Sequence, residues 1–151
     1  MKKIIIAAML FLATLLVASS FAYAEERFTI SGVVYFQNDS NIYMNLVSRE
    51  SFANRLEPLP QPFGMYIKLT PEQKKAKQVS FKFDGIPKGN YMIYAFQDLN
   101  RNGKLDRDTQ GWAVEPAATY KKIEIALQWD RDKFLVDKDI TGIKITIEEG
   151  L

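Results

Sequence analysis

The side chains best placed to do chemistry lie in one stretch, "DLNRNGKLD", residues 98 to 106. Asp98, Asn100 and Asn102 put an oxygen-bearing side chain at every second position, Lys104 offers its backbone carbonyl, and Asp106 closes the series. Counted from Asp98, these are positions 1, 3, 5, 7 and 9 of a calcium loop of the EF-hand kind. Gly103 at position 6 allows the positive φ that brings late ligands back round the ion. Leu105 at position 8 is apolar, as a loop anchored to a core requires. A set of hard oxygen donors selects a hard cation, and the irregular cage suits calcium better than magnesium. Position 12 is Thr109, where such loops place a bidentate Glu, so a further ligand must come from elsewhere. Asp108 and Glu115 are the two candidates. The competing account is an Asx-rich turn whose side chains only cap their own backbone.

Other chemistries are poorly served. The chain contains no His and no Cys, which removes zinc chemistry, thiol catalysis and Ser-His relays. A carboxylate pair drawn from Asp98, Asp106, Asp108 and Glu115 leaves a glycan hydrolase as a distant alternative. Carboxylates gathered on a tight ion loop are already committed, so a non-catalytic protein is expected. Trp112 directly follows the loop, and Trp129 sits among charges in "ALQWDRDKF". Aromatics on loops at one end of a fold can stack on sugars or anchor a partner, which makes a carbohydrate-binding module the closer alternative. Both could instead cover the ends of a core. Exposure of Trp112 beside a coplanar tyrosine would favour the sugar.

The elements that must position the loop read as strands. Phe28, Ile30, Val34 and Phe36 share one face of a period-two run, and Ile42, Met44 and Leu46 share another. Met65, Ile67 and Leu69 follow, then Val79, Phe81 and Phe83, Tyr91 to Phe96, Lys122 to Leu127, and Gly142 to Ile147. About seven short strands between turn residues predict an all-β fold, a single antiparallel sandwich of transthyretin or immunoglobulin type. Pro87 and Lys88, closed by Gly89, predict a turn joining the strands on either side into a hairpin. Thr70, Pro71 and Gln73 form a capping-box pattern that predicts a short helix. "EPLPQP" over residues 57 to 62 reads as a stiff, extended connector.

From "FKFDGIPKGNY" through "DLNRNGKLD" to "GWAVEP" the chain resembles a family of exported bacterial β-sandwich proteins of unknown function. Its members are similar to transthyretin and carry a P-x-G-x-Y turn followed by D-x-N-x-N-G-K-L-D. The resemblance spans roughly residues 28 to 126, with its core at 85 to 115. It implies that a Gly and a Glu follow the loop, here Gly111 and Glu115, with Glu115 available to the ion. Ala113 departs from the proline usual there, and nothing after residue 126 aligns. The family implies a fold and an ion site, and no activity.

The start of the chain bears on compartment. Lys2 and Lys3, the apolar run Ile4 to Val17, and Ala22-Tyr23-Ala24 before Glu25-Glu26 form a secretory signal peptide cut after Ala24. Removing residues 1 to 24 leaves 127 of 151 residues, one domain over 25–151, and no stable membrane anchor. It also removes the two lysines behind the net charge of +2, so the mature chain is neutral. Neutrality argues against nucleic acid and against any polybasic lipid-binding segment. The expectation is a periplasmic or secreted, calcium-binding, non-catalytic sandwich with an accessory role, engaging an envelope protein or a glycan.

Overall fold

The computed structural model describes residues 25–54, 63–110, 112–121 and 128–148. Among them are eight strands: β1 (Arg27–Tyr35), β2 (Ile42–Ser48), β3 (Gly64–Ile67), β4 (Gln78–Pro87), β5 (Gly89–Gln97), β6 (Ala117–Thr119), β7 (Phe134–Val136) and β8 (Ile140–Thr146). They form two sheets, one ordered β4-β1-β8 and one ordered β3-β2-β5-β6, with β7 also paired to β5. The chain is an all-β sandwich. Alternation builds its inner core: Ile30 and Val34, Val79, Phe81 and Phe83, and Ile143 and Ile145 meet Ile42, Met44 and Leu46, and Ile93 and Ala95.

Every strand pair but one is antiparallel. β8 lies parallel to β1, with Gly32 opposite Ile143. The approach there is so close that a Cβ on Gly32 would fall 2.1 Å from the Ile143 carbonyl oxygen. Only glycine fits at that crossing.

The Pro87–Gly89 turn is not a hairpin. β4 pairs with β1 and β5 with β2, so the link through Lys88 carries the chain from one sheet to the other. The Tyr91 hydroxyl braces this corner by donating to the Pro87 carbonyl at 3.0 Å. A turn motif specifies a change of direction and leaves open which sheet receives the returning strand.

The capping box forms as its residues predict. The Gln73 N–H donates to Thr70 Oγ1 at 3.3 Å, the Thr70 N–H donates to Gln73 Oε1 at 2.9 Å, and helix α1 (Pro71–Ala76) follows. A second short helix, α2 (Trp129–Asp132), lies near the C-terminus. The signal peptide, the 57–62 connector, the expected strand at 122 to 127 and Gly111 lie outside the described residues. Among the described residues no helix is long and apolar enough to cross a membrane.

β5 is buried on both faces. Its second face, Met92, Tyr94 and Phe96, packs with Val47 beneath Leu105, Trp129, Phe52 and Ala113. This outer layer is made of loop and short helix, and the 98–116 loop supplies part of it.

Candidate metal centre

The loop leaves β5 directly. Phe96 is locked in the outer layer, and Gln97 is fully buried, its side-chain amide donating to the carbonyls of Asn38 and Ser40 at 2.6 and 2.9 Å. These bonds tie the β1–β2 turn to the loop's point of departure. Sequence reasoning missed Gln97, because a polar residue at a strand end carries no spacing signal.

Asp98 comes next and is buried at 5 % exposure. Its two oxygens accept from the backbone N–H groups of Asn102 (3.1 Å) and Gly103 (2.9 Å). Asn100 Oδ1 accepts from the Asn102 N–H at 3.1 Å, and Asn102 Oδ1 from the Lys104 N–H at 3.0 Å. Successive Asx turns thus wind the backbone round the same side chains that occupy alternate positions. Arg101 and Gly103 adopt φ of 65° and 78°, the left-handed conformations this winding needs. Leu105 drops into the outer layer and seats the loop.

Asp106 is where the loop closes. Its Oδ2 accepts from the side-chain amides of both Asn100 and Asn102, the latter at 2.8 Å. Glu115 is buried at 3 % exposure and spans the mouth. Its Oε1 accepts from the Leu99 N–H at 2.7 Å and its Oε2 from the Asp106 N–H at 3.1 Å. Of the two candidates for completing the loop, Glu115 is thus carried to it. Asp108 faces the following turn, accepting from the N–H groups of Gln110 and Trp112 at 2.9 and 2.8 Å. Lys104 is exposed. Asp98, Asn100, Asn102, Asp106 and Glu115 therefore share one knot of hydrogen bonds.

No Lys or Arg side chain among the described residues ion-pairs with Asp98, Asp106 or Glu115. Burying acidic groups without a cation is costly unless hydrogen bonds or an ion offset it. The field of Asp98 reaches Tyr43, whose phenol is held above its ordinary range, first by burial and then by this negative charge. Among the described residues, no three or more His, Cys, Asp or Glu side chains gather as a metal-binding group. A loop of this kind draws much of its shell from Asn and backbone oxygens instead.

The tryptophans divide. Trp129 is buried edge-on against Phe52 at a centroid distance of 5.6 Å, covering the core end as a structural aromatic would. Trp112 is exposed and touches no other ring among the described residues. At the far end of β5, an open cleft of about 600 Å³ is lined by Arg49, Glu50, Lys88, Asn90, Trp129 and Asp130. Arg49 lies 5.7 Å from the Trp129 ring centroid. Its charged groups are exposed and of mixed sign, so it lacks the convergent buried donors that define the loop.

No curated protein and no solved structure matches the chain. One family does, over residues 35–143, a span that holds the whole loop, the six strands β2 to β7 and the first half of β8. The chain belongs to the family described as "Uncharacterized protein conserved in bacteria (DUF2141)".

Proposed function

We propose that this protein is an exported, non-catalytic β-sandwich of transthyretin-like type that binds calcium in the 98–116 loop and has an accessory, partner-binding role in the cell envelope. The observation that carries the reading is the convergence of Asp98, Asn100, Asn102 and Asp106 under the Glu115 clamp, with no Lys or Arg ion pair to their carboxylates among the described residues. Asp98, Asn100, Asn102, the Lys104 carbonyl, Asp106 and Glu115 would hold the ion. Each Asn side-chain oxygen accepts one backbone bond and keeps a second lone pair for the ion. Each carboxylate oxygen of Glu115 accepts one backbone bond and keeps a second lone pair. The bound ion would supply charge balance and a rigid loop, and no bond-making step.

Two neutral Asn stand where stronger sites carry Asp, so affinity falls in the extracellular range of about 10⁻⁴ to 10⁻³ M. Calcium that binds only the folded loop stabilises the protein by roughly 2.7 kcal/mol at a hundredfold excess over its dissociation constant. Thermal melts at that hundredfold excess, about 10 to 100 mM calcium at matched ionic strength, and in chelator should then differ by several degrees, and Asp98→Ala should erase the difference. Identical melting of the unaltered protein in both buffers refutes the ion site. Export is checked by intact mass: periplasmic material should begin at Glu25.

A further inference from the structure

Leu99, Trp112 and Val114 are 48, 46 and 55 % exposed, three of the six large apolar side chains that the described residues leave open to solvent. All three belong to the 98–116 loop, whose other exposed residues are polar. The construction of the loop forces them outward. Ala113 packs into the outer layer and bridges Arg107, while the Val114 N–H donates to the Asp106 carbonyl at 3.1 Å. The neighbours of Ala113 on either side, Trp112 and Val114, both face solvent. Leu99 is pinned through its N–H to Glu115, the residue after Val114. Apolar side chains grouped on one loop mark a contact surface more often than ones scattered singly.

The charges nearby say which surface. Arg101 and Lys104 are exposed on the same loop and neither forms an ion pair, while the exposed acid there, Asp108, is engaged by the Gln110 and Trp112 N–H groups. We infer that this loop tip docks on an anionic phospholipid bilayer. Trp112 takes the interfacial position natural to an indole, Leu99 and Val114 enter the upper acyl region, and Arg101 and Lys104 meet lipid phosphate. The absence of a ring beside Trp112 among the described residues disfavours a flat sugar platform and suits a side chain that inserts alone. Calcium at the loop would offset the acidic groups beneath the tip and strengthen the contact. That ion dependence rests on the calcium reading, whereas the apolar and cationic contact does not. Two cations and three modest apolar groups give reversible docking and no permanent anchor.

The test is cosedimentation of the exported protein, its mass checked for loss of residues 1 to 24, with vesicles of phosphatidylglycerol and phosphatidylcholine or of phosphatidylcholine alone. Binding to the anionic vesicles should be about thirtyfold tighter, from two basic side chains near a charged surface. Arg101→Gln with Lys104→Gln should remove that preference. Leu99→Ser, Trp112→Ser and Val114→Ser combined should weaken binding roughly tenfold or more while leaving the melting temperature unchanged. In a Trp129→Phe background the Trp112 emission should move to the blue on adding vesicles. Failure to sediment with either vesicle overturns the proposal, as does equal binding by the triple variant. Retention on an insoluble glycan without vesicle binding overturns it in favour of a sugar. Vesicle binding in chelator with no calcium effect on melting leaves the docking tip standing and removes the ion. Calcium stabilisation without vesicle binding does the reverse.

Discussion

The two faces of β5 are buried equally well and by different means. Ile93 and Ala95 look inward and are covered by strands of the opposite sheet, whose positions are fixed by backbone ladders. Met92, Tyr94 and Phe96 look outward and are covered by Leu105 and Ala113 of the loop, Trp129 of α2 and Phe52. The inner cover holds because strands pair. The outer cover holds only while the 98–116 loop keeps its winding, and that winding depends on Asp98, Asp106 and Glu115. Whatever tightens the loop therefore tightens half the burial of the central strand.

The sharpest way to separate the faces is to damage each in turn. Ile93→Ala removes a fully buried inner side chain and should cost about 3 kcal/mol, equally in calcium and in chelator. A calcium-dependent loss would mean that the inner core and the loop are one unit. Glu115→Ala leaves the Leu99 and Asp106 N–H groups without their acceptor and should cost about 2 kcal/mol, measured by denaturant melts. Here the loss should shrink once Asp98→Ala is also present, because both act through the same loop. Strict additivity would break the picture of a single winding.

The smallest effect concerns Tyr43, which stacks on Phe96 at a centroid distance of 5.3 Å. Its phenol titrates above its ordinary value of 10.0 because burial and Asp98 disfavour the phenolate. The folded state therefore keeps the proton longer than the unfolded chain. The stability tied to it is present below pH 10 and declines as pH climbs through the raised value. Ultraviolet titration should show Tyr43 and Tyr91 ionising late, and calcium beside Asp98 should move only Tyr43 downward. A shift upward would place the ion elsewhere.

These contrasts also explain what could be read from the residues alone. Inner faces were legible because Ile42, Met44 and Leu46 or Val79, Phe81 and Phe83 alternate cleanly. The winding of the loop was legible for a similar reason, since alternate Asx residues, a glycine and an apolar anchor each answer a local need. β6 and β7 escaped notice: each has three residues, too few to display a period. The sheet crossing at Lys88 escaped because partner choice is decided by distant strands. The double role of Glu115, bonded to Leu99 and Asp106 at once, depends on a fold-back that spacing does not encode.

The parallel pairing of β1 with β8 has a consequence for how the molecule comes into being. β1 is the central strand of its sheet, and it precedes every other described strand, whereas its partner β8 follows them all. Until Ile143 reaches Gly32, that sheet has only β4 beside β1, and one row of β1 backbone groups waits without a mate. A chain emerging in sequence therefore cannot finish this layer early. Contacts so distant along the chain close slowly, and this layer stays open until β8 has been made.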